Sequence, residues 1–217
     1  MKRFLFFLLF FISCTVLKAQ IPYFAETVNI GKMYAYSSVK ARPGINAIES
    51  YTSFQYGIAD SFAAGTDLYT TSGYAYWGFL LRYGLKVNKW YKVGVQLTPS
   101  FDLSNNFKFN YLTSGLYMNG AISADEKLFW CSNTWIGTNK GVEDTINQWT
   151  YIGYSIKTTK KTSLTPMIGE LHSWKFDNDF DLGFGAYYSV KGFNFYLWGN
   201  DFFKSHPRLV FGFDITL

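Results

Sequence analysis

The sequence predicts an all-β protein: an antiparallel, up-and-down transmembrane β-barrel of about 12 strands, with 10 as the alternative. Three observations carry this. The last ten residues put Leu209, Phe211, Phe213, Ile215 and Leu217 on one parity and Val210, Gly212, Asp214 and Thr216 on the other. That period of two is a strand with one greasy face. A bare apolar edge strand invites aggregation, so closure against the first strand is expected, and in lipid closure is compulsory. The same rhythm runs through a hairpin: Ala75, Trp77, Phe79, Leu81, Tyr83, Leu85 and Val87, then, past Asn88-Lys89, Tyr91, Val93, Val95, Leu97 and Phe101. Composition is the third observation. Aromatic residues make up 21% of the chain and charged residues only 16%, with 19 Gly. Soluble domains carry about a quarter charged residues. Aromatic girdles and a lipid-facing parity explain the departure.

The front of the chain is expected to be removed. Met1-Lys2-Arg3 is basic, Phe4 to Val16 is almost wholly apolar, and Leu17-Lys-Ala-Gln20 offers a small residue at a cleavage point. This is the layout of a secretory signal peptide, too short for the roughly 20 residues of a spanning helix. Cleavage after Ala19 leaves one barrel domain over residues 20–217. Phe11-Ile-Ser-Cys14 is a rival lipidation box. Lys2, Arg3 and Lys18 leave with the leader, which removes most of the net charge of +5, so no nucleic-acid partner is expected. Cys131 is then alone, which excludes an internal disulfide and a thiolate metal cluster. No cofactor is expected. The expected partners are outer-membrane lipid, the barrel-assembly machinery and a small solute.

Taken in order, Gln20 to Thr27 is a short lead, with Pro22 arguing against a strand. Val28 to Lys40 is the first strand, Ala41 to Asn46 a Pro-Gly loop, and Ser50 to Asp60 the second strand. Ser61 to Gly65 turns the chain, and Thr66 to Thr71 is a weaker strand. After the hairpin from Ala75 to Phe101 and a loop at Ser104-Asn-Asn106, Phe107 to Ser123 is a long strand whose alternation slips near Leu112, the mark of a bulge. Leu128 to Thr138 faces Leu128, Trp130, Thr134 and Ile136 outward and Cys131 and Asn133 inward. Lys140 to Gln148 reads as a polar loop. Strands follow at Trp149 to Thr158, Thr162 to Trp174 (with Pro166 its least comfortable residue), Phe180 to Val190 and Phe193 to Asn200. Lys191-Gly192 is a two-residue hairpin turn. Phe202 to Pro207 is the last loop before the closing strand. Short turns at Asn88, Asp125, Lys160 and Lys191 alternate with mostly longer, polar loops at Pro43, Asn105, Glu143, Asp177 and Lys204, as in outer-membrane barrels.

The closing strand resembles the C-terminal strand of bacterial outer-membrane barrels, although those usually end in Phe or Trp where this chain has Leu217. Glu49 to Leu68 resembles a hairpin of small outer-membrane barrels, among them transporters of the phenol-degradation outer-membrane type: an aromatic-Gly-Ile strand end, an Asp-containing turn, then Gly and a second strand. The Ala19-Gln20 junction and the aromatic excess are similar to those of secreted proteins of Bacteroidetes. The resemblance implies localisation in the cell outer membrane and a transport role, with no particular substrate.

Charges on the lipid face of a barrel cost about 2–4 kcal/mol at midplane. Arg82, Lys86, Lys92, Gln96, Gln55, Asp181, Asn194 and Asp214 share the polar parity of their strands and are therefore expected to line the lumen. A narrow pore or transporter for small solutes follows, weakly favouring anions beside Arg82, Lys86 and Lys92. Inward Gly57, Gly84, Gly94, Gly183, Gly185 and Gly212 are expected to leave space in it. A filled structural or adhesive barrel is the alternative. So is a rim lipid hydrolase built on Glu170, His172 and Ser173, a candidate rim cluster. Adjacent His and Ser face opposite sides of a strand, which argues against a nucleophile and base in contact. No catalytic residue and no metal site are otherwise indicated.

Overall fold

A computed structural model describes residues 25–43, 47–139, 142–174, 182–202 and 206–217. The leader, its cleavage point and Cys14 lie outside these residues.

The chain forms thirteen strand segments: β1 (Met33–Arg42), β2 (Ala47–Ala59), β3 (Phe62–Thr71), β4 (Tyr74–Lys86), β5 (Lys92–Asp102), β6 (Lys108–Ala121), β7 (Leu128–Asn139), β8 (Val142–Tyr154), β9 (Ile156–Thr159), β10 (Thr162–Ser173), β11 (Leu182–Val190), β12 (Phe193–Asn200) and β13 (Arg208–Thr216). Every strand pairing is antiparallel and joins chain neighbours, apart from the closing β13–β1 pair and β8–β10, where β8 and β9 both pair with β10. They are two parts of one stave, so the sheet is a closed antiparallel barrel of twelve staves.

Proline explains the break. Leu164 pairs with Ile156 and Met167 with Gly153, so the ladder lapses opposite Pro166, which has no N–H to give. Ser155 bridges the gap by donating instead to the Lys127 carbonyl at 2.8 Å. The same occurs at Pro99, where the β4–β5 ladder skips from Gly78–Ser100 to Leu81–Leu97.

Closure is made by β13 on β1, from Tyr34–Thr216 to Ala41–Leu209. Two backbone bonds between Met33 and Leu217, at 2.7 and 3.1 Å, extend the seam to the final residue. Apolar residues of the closing strand, such as Phe211 and Phe213, are exposed on the outer wall, while Asp214 is wholly buried inside. Outward parity elsewhere carries Phe54, Leu68, Phe79, Leu81, Val95, Leu97, Ile152, Phe184 and Leu197, all exposed. The hydrophobic cluster is inside the barrel, around Tyr36, Trp149, Tyr151, Tyr187, Tyr196 and Trp198.

Several boundaries differ from the sequence reading. The first strand begins at Met33, not Val28, because the preceding residues have a different place, described below. The second turn is only Asp60-Ser61, and β3 reaches back to Phe62, which removes the ten-strand alternative. Ser61 takes a φ of 67°, so the turn is made without Gly. The stretch expected as a polar loop, Lys140 to Gln148, is mostly strand, since β8 starts at Val142 and pairs its polar residues with β7. The bulge expected near Leu112 falls at Asn110: Ser100 pairs with Tyr111 and Phe101 with Phe109. At Lys191-Gly192 both φ values are positive, 47° and 89°, as the twist of a two-residue hairpin requires.

Candidate functional site: a chamber above a filled floor

The barrel has two unlike ends. The terminus end, where Met33 and Leu217 meet, holds the chain's own lead segment. Ala25 and Val28 are buried inside the wall. The Ala25 amide donates to Asn119 Oδ1 at 2.7 Å, and the Glu26 carboxylate pairs with Lys92 Nζ at 3.1 Å. Ile30 bridges to Gly57 in parallel, with Gly31 N donating to the Gly57 carbonyl at 2.9 Å. Glycine makes this seat. A Cβ at Gly84 or Gly94 would strike the Ala25 carbonyl, and one at Gly57 the Val28 and Asn29 carbonyls.

At mid-height the interior is closed by rings. Trp198, Tyr117, Tyr151, Tyr187 and Tyr196 are fully or almost fully buried. Tyr187 and Tyr196 stack with centroids 5.6 Å apart, and Trp149 meets Trp198 edge-on at 5.2 Å. Gly183 and Gly185 give room to the Trp198 ring, and Gly212 to Tyr196. The sequence reading of these six glycines as open space is therefore overturned: three hold backbone and three hold rings. What looked like missing volume is volume matched to a neighbour.

Above this floor, toward the far end, lies a cavity of about 380 Å³. Its wall carries Tyr51, Tyr69, Tyr76 and Tyr111, with Trp135, Trp149 and Trp198 beneath. Polar groups converge between the rings. Lys40 forms an ion pair with Glu49, which also accepts from the Tyr69 hydroxyl at 2.9 Å. Asp67 is buried and takes hydrogen bonds from Ser53, Tyr51 and Thr98. Lys40 and Glu49 are about a third exposed, which places them at the entrance.

The residues singled out in the sequence fall in different places. Gln96 lines the chamber. It accepts from the Tyr117 hydroxyl at 3.2 Å and donates to Thr98 at 3.1 Å. Arg82 is buried below it, with its guanidinium 4.1 Å from the Tyr117 ring centre. Gln55 is buried and donates to Ser53 at 3.4 Å. Lys92 holds Glu26, and Lys86 is exposed at the terminus rim. Asn194 and Asp214 are buried near the terminus end, where Asn194 Nδ2 donates to Asp214 Oδ1 at 2.8 Å and Tyr187 donates to Oδ2. Asp181 lies outside the described residues. None of Arg82, Lys86 and Lys92 is on the chamber wall. The cations that are there or at its rim, Lys40 and Arg208, were not singled out, because each sits near a strand end where parity alone carries little weight.

The remaining cluster is elsewhere. Glu170 and His172 are joined at 3.1 Å through Oε1 and Nδ1, and share the outward parity of Leu164 and Ile168. They are on the outside of the barrel. The side chain of Ser173 is not among those described; its backbone pairs with Asn147, whose parity is inward. Among the described residues no group of metal-binding side chains is found.

The architecture is similar to that of solved porins. The KdgM porin superposes with a TM-score of 0.57 at 10% identity, covering 84% of this chain and 98% of that one. A second structure of it, in complex with disordered oligogalacturonate, gives the same values. The NanC porin gives 0.58 at 9% identity, covering 84% of this chain and all of that one. At such identities the likeness is one of fold. No protein-family model matches the chain, and no curated protein matches it in sequence.

Proposed function

We propose that the protein is an outer-membrane barrel of the porin kind, which admits small solutes from the far end into the ring-lined chamber. The observation that carries this is the chamber itself: a cavity of about 380 Å³ inside the wall, with Lys40 and Glu49 at its entrance. Pockets of a few hundred Å³ with apolar walls and a few convergent polar groups suit small ligands. The exposed apolar parity of the wall supports a place in lipid, and the likeness to porins supports the outer membrane and a channel role. Export by the leader sequence belongs to the same reading. The described conformation is the closed one, since the ring layer and the lead segment stand between the chamber and the terminus end.

A way through requires displacement of the lead segment and of the ring layer. The alternative, suggested by the tight burial of Trp198 and Tyr187, is a filled barrel in which the chamber only binds. Planar-bilayer conductance of the refolded full chain separates them. Discrete openings support the channel. A correctly folded barrel with no conductance and no uptake of small solutes into vesicles removes it and leaves the binding or structural barrel.

A further inference from the structure

The outer wall is not uniform. On β7, β8 and β10 two rows of polar side chains cross it. Ser132, Thr150 and Glu170 are in register, and one step further are Thr134, Gln148 and His172. Apolar rows flank them on both sides: Trp130, Ile152 and Ile168 toward the terminus end, and Ile136, Ile146 and Trp174 toward the far end. No other Asp, Glu, Lys, Arg or His among the described strand side chains shares the outward parity. The patch is knitted together. Gln148 Nε2 donates to Ser132 and to Thr150, both at 3.2 Å, and the two hydroxyls meet at 3.0 Å. The Gln148 carbonyl oxygen and the second Glu170 oxygen take no hydrogen bond among the described residues.

We infer that this patch is the seam along which two copies of the chain pair side by side in the membrane. The inference rests on reading the outer wall as lipid-facing. Acyl chains offer no partner to an amide, a carboxylate or an imidazole, so such groups are expected against protein or water. An anionic lipid headgroup is disfavoured by Glu170. A second copy fits because the patch is self-complementary. It carries acceptors on Gln148, Glu170 and the second His172 nitrogen, and donors on Thr134 and Thr150. A two-fold axis past Gln148 brings its free carbonyl oxygen toward the threonine hydroxyls of the other copy, with the isoleucine rows closing above and below.

Disulfide crosslinking in native membranes tests this with the full chain. Thr150 is exposed and outward at the patch, whereas Phe54 is exposed and outward on β2, across the barrel. Cys131 is buried inside and stays as it is. T150C is expected to give, on oxidation, a product of twice the monomer mass, at least tenfold more abundant than with F54C. Adding Q148L, E170L and H172L, which suit lipid better, is expected to lower that product at least tenfold while the band stays heat-modifiable. Equal crosslinking at both positions, a product carrying another protein's mass, or no effect of the three leucines overturns the seam. A chain absent from the membrane fraction overturns the membrane reading itself, and the seam with it. Lost conductance with intact crosslinking touches only the channel.

Discussion

The two halves of the lumen are built from the same alternating strands, yet one is full and the other is not. In the terminus half the inward parity is rich in glycine, and the space is taken by backbone: Ala25 to Ile30 lies against Gly57, Gly84 and Gly94. In the far half the inward parity is Tyr, Ser, Thr and Gln, and the space stays open as the chamber. Small inward residues closed their half, while large ones keep theirs open by standing as a wall. Inward residue size therefore does not measure the bore of a barrel until the chain's own ends have been placed.

The border between the halves is the most sensitive point. Trp198→Ala removes the buried ring that divides them, and is expected to cost about 3–5 kcal/mol in urea unfolding from vesicles. It should also enlarge the chamber downward and raise any conductance. An unchanged midpoint would mean the ring layer is not the partition. Gly84→Val acts on the full half alone. The added side chain meets the Ala25 carbonyl, an overpacking worth about 1–3 kcal/mol, and displacement of the lead segment relieves it. Limited proteolysis near Ala25 should become faster while the barrel core persists. If the lead segment stays protected, the glycine seat is looser than its geometry implies.

Lys92→Gln takes away the ion pair with Glu26, whose partners are 13% and 32% exposed. The expected loss is about 1 kcal/mol or less, as for other partly exposed pairs, with more frequent openings in bilayers as the sharper readout. The smallest effect is expected in the open half. Lys40→Gln at the entrance should leave unfolding unchanged and shift ion preference modestly toward cations. A large stability loss there would show that the Lys40–Glu49 pair holds the wall, not the entrance.

Much of the barrel was legible because a strand with an apolar outer face and a polar inner one is under one simple constraint. Alternation placed most staves, and the hairpin turns at Asn88 and Lys191 were marked by their own chemistry, Asn88 Oδ1 accepting from the Trp90 and Tyr91 amides at 2.8 Å. The lead segment was not legible. Pro22 lies outside the described residues, and nothing local to residues 25–30 says that a non-strand segment enters the barrel; only the distant glycines record it. Phe62 to Gly65 was read as turn because Ala-Ala-Gly carries no hydrophobic signal, although Ala63 and Gly65 are inward positions where bulk is excluded. Glu170 and His172 were read as a rim cluster from their place near the end of the strand, where β10 indeed stops at Ser173; their parity with Leu164, Ile168 and Trp174 adds that they point outward.

The β1–β13 seam joins residues from opposite extremes of the described chain. Until Arg208 to Thr216 is in hand, β1 has one unmet edge and the sheet is an open, sticky ribbon. Long-range pairing of this kind slows folding, because the loop must close before the contacts reward it. A chain without β13 would hold no closed ladder at all. Closure is therefore an all-or-none event set by one strand, whatever the order in which the other staves pair.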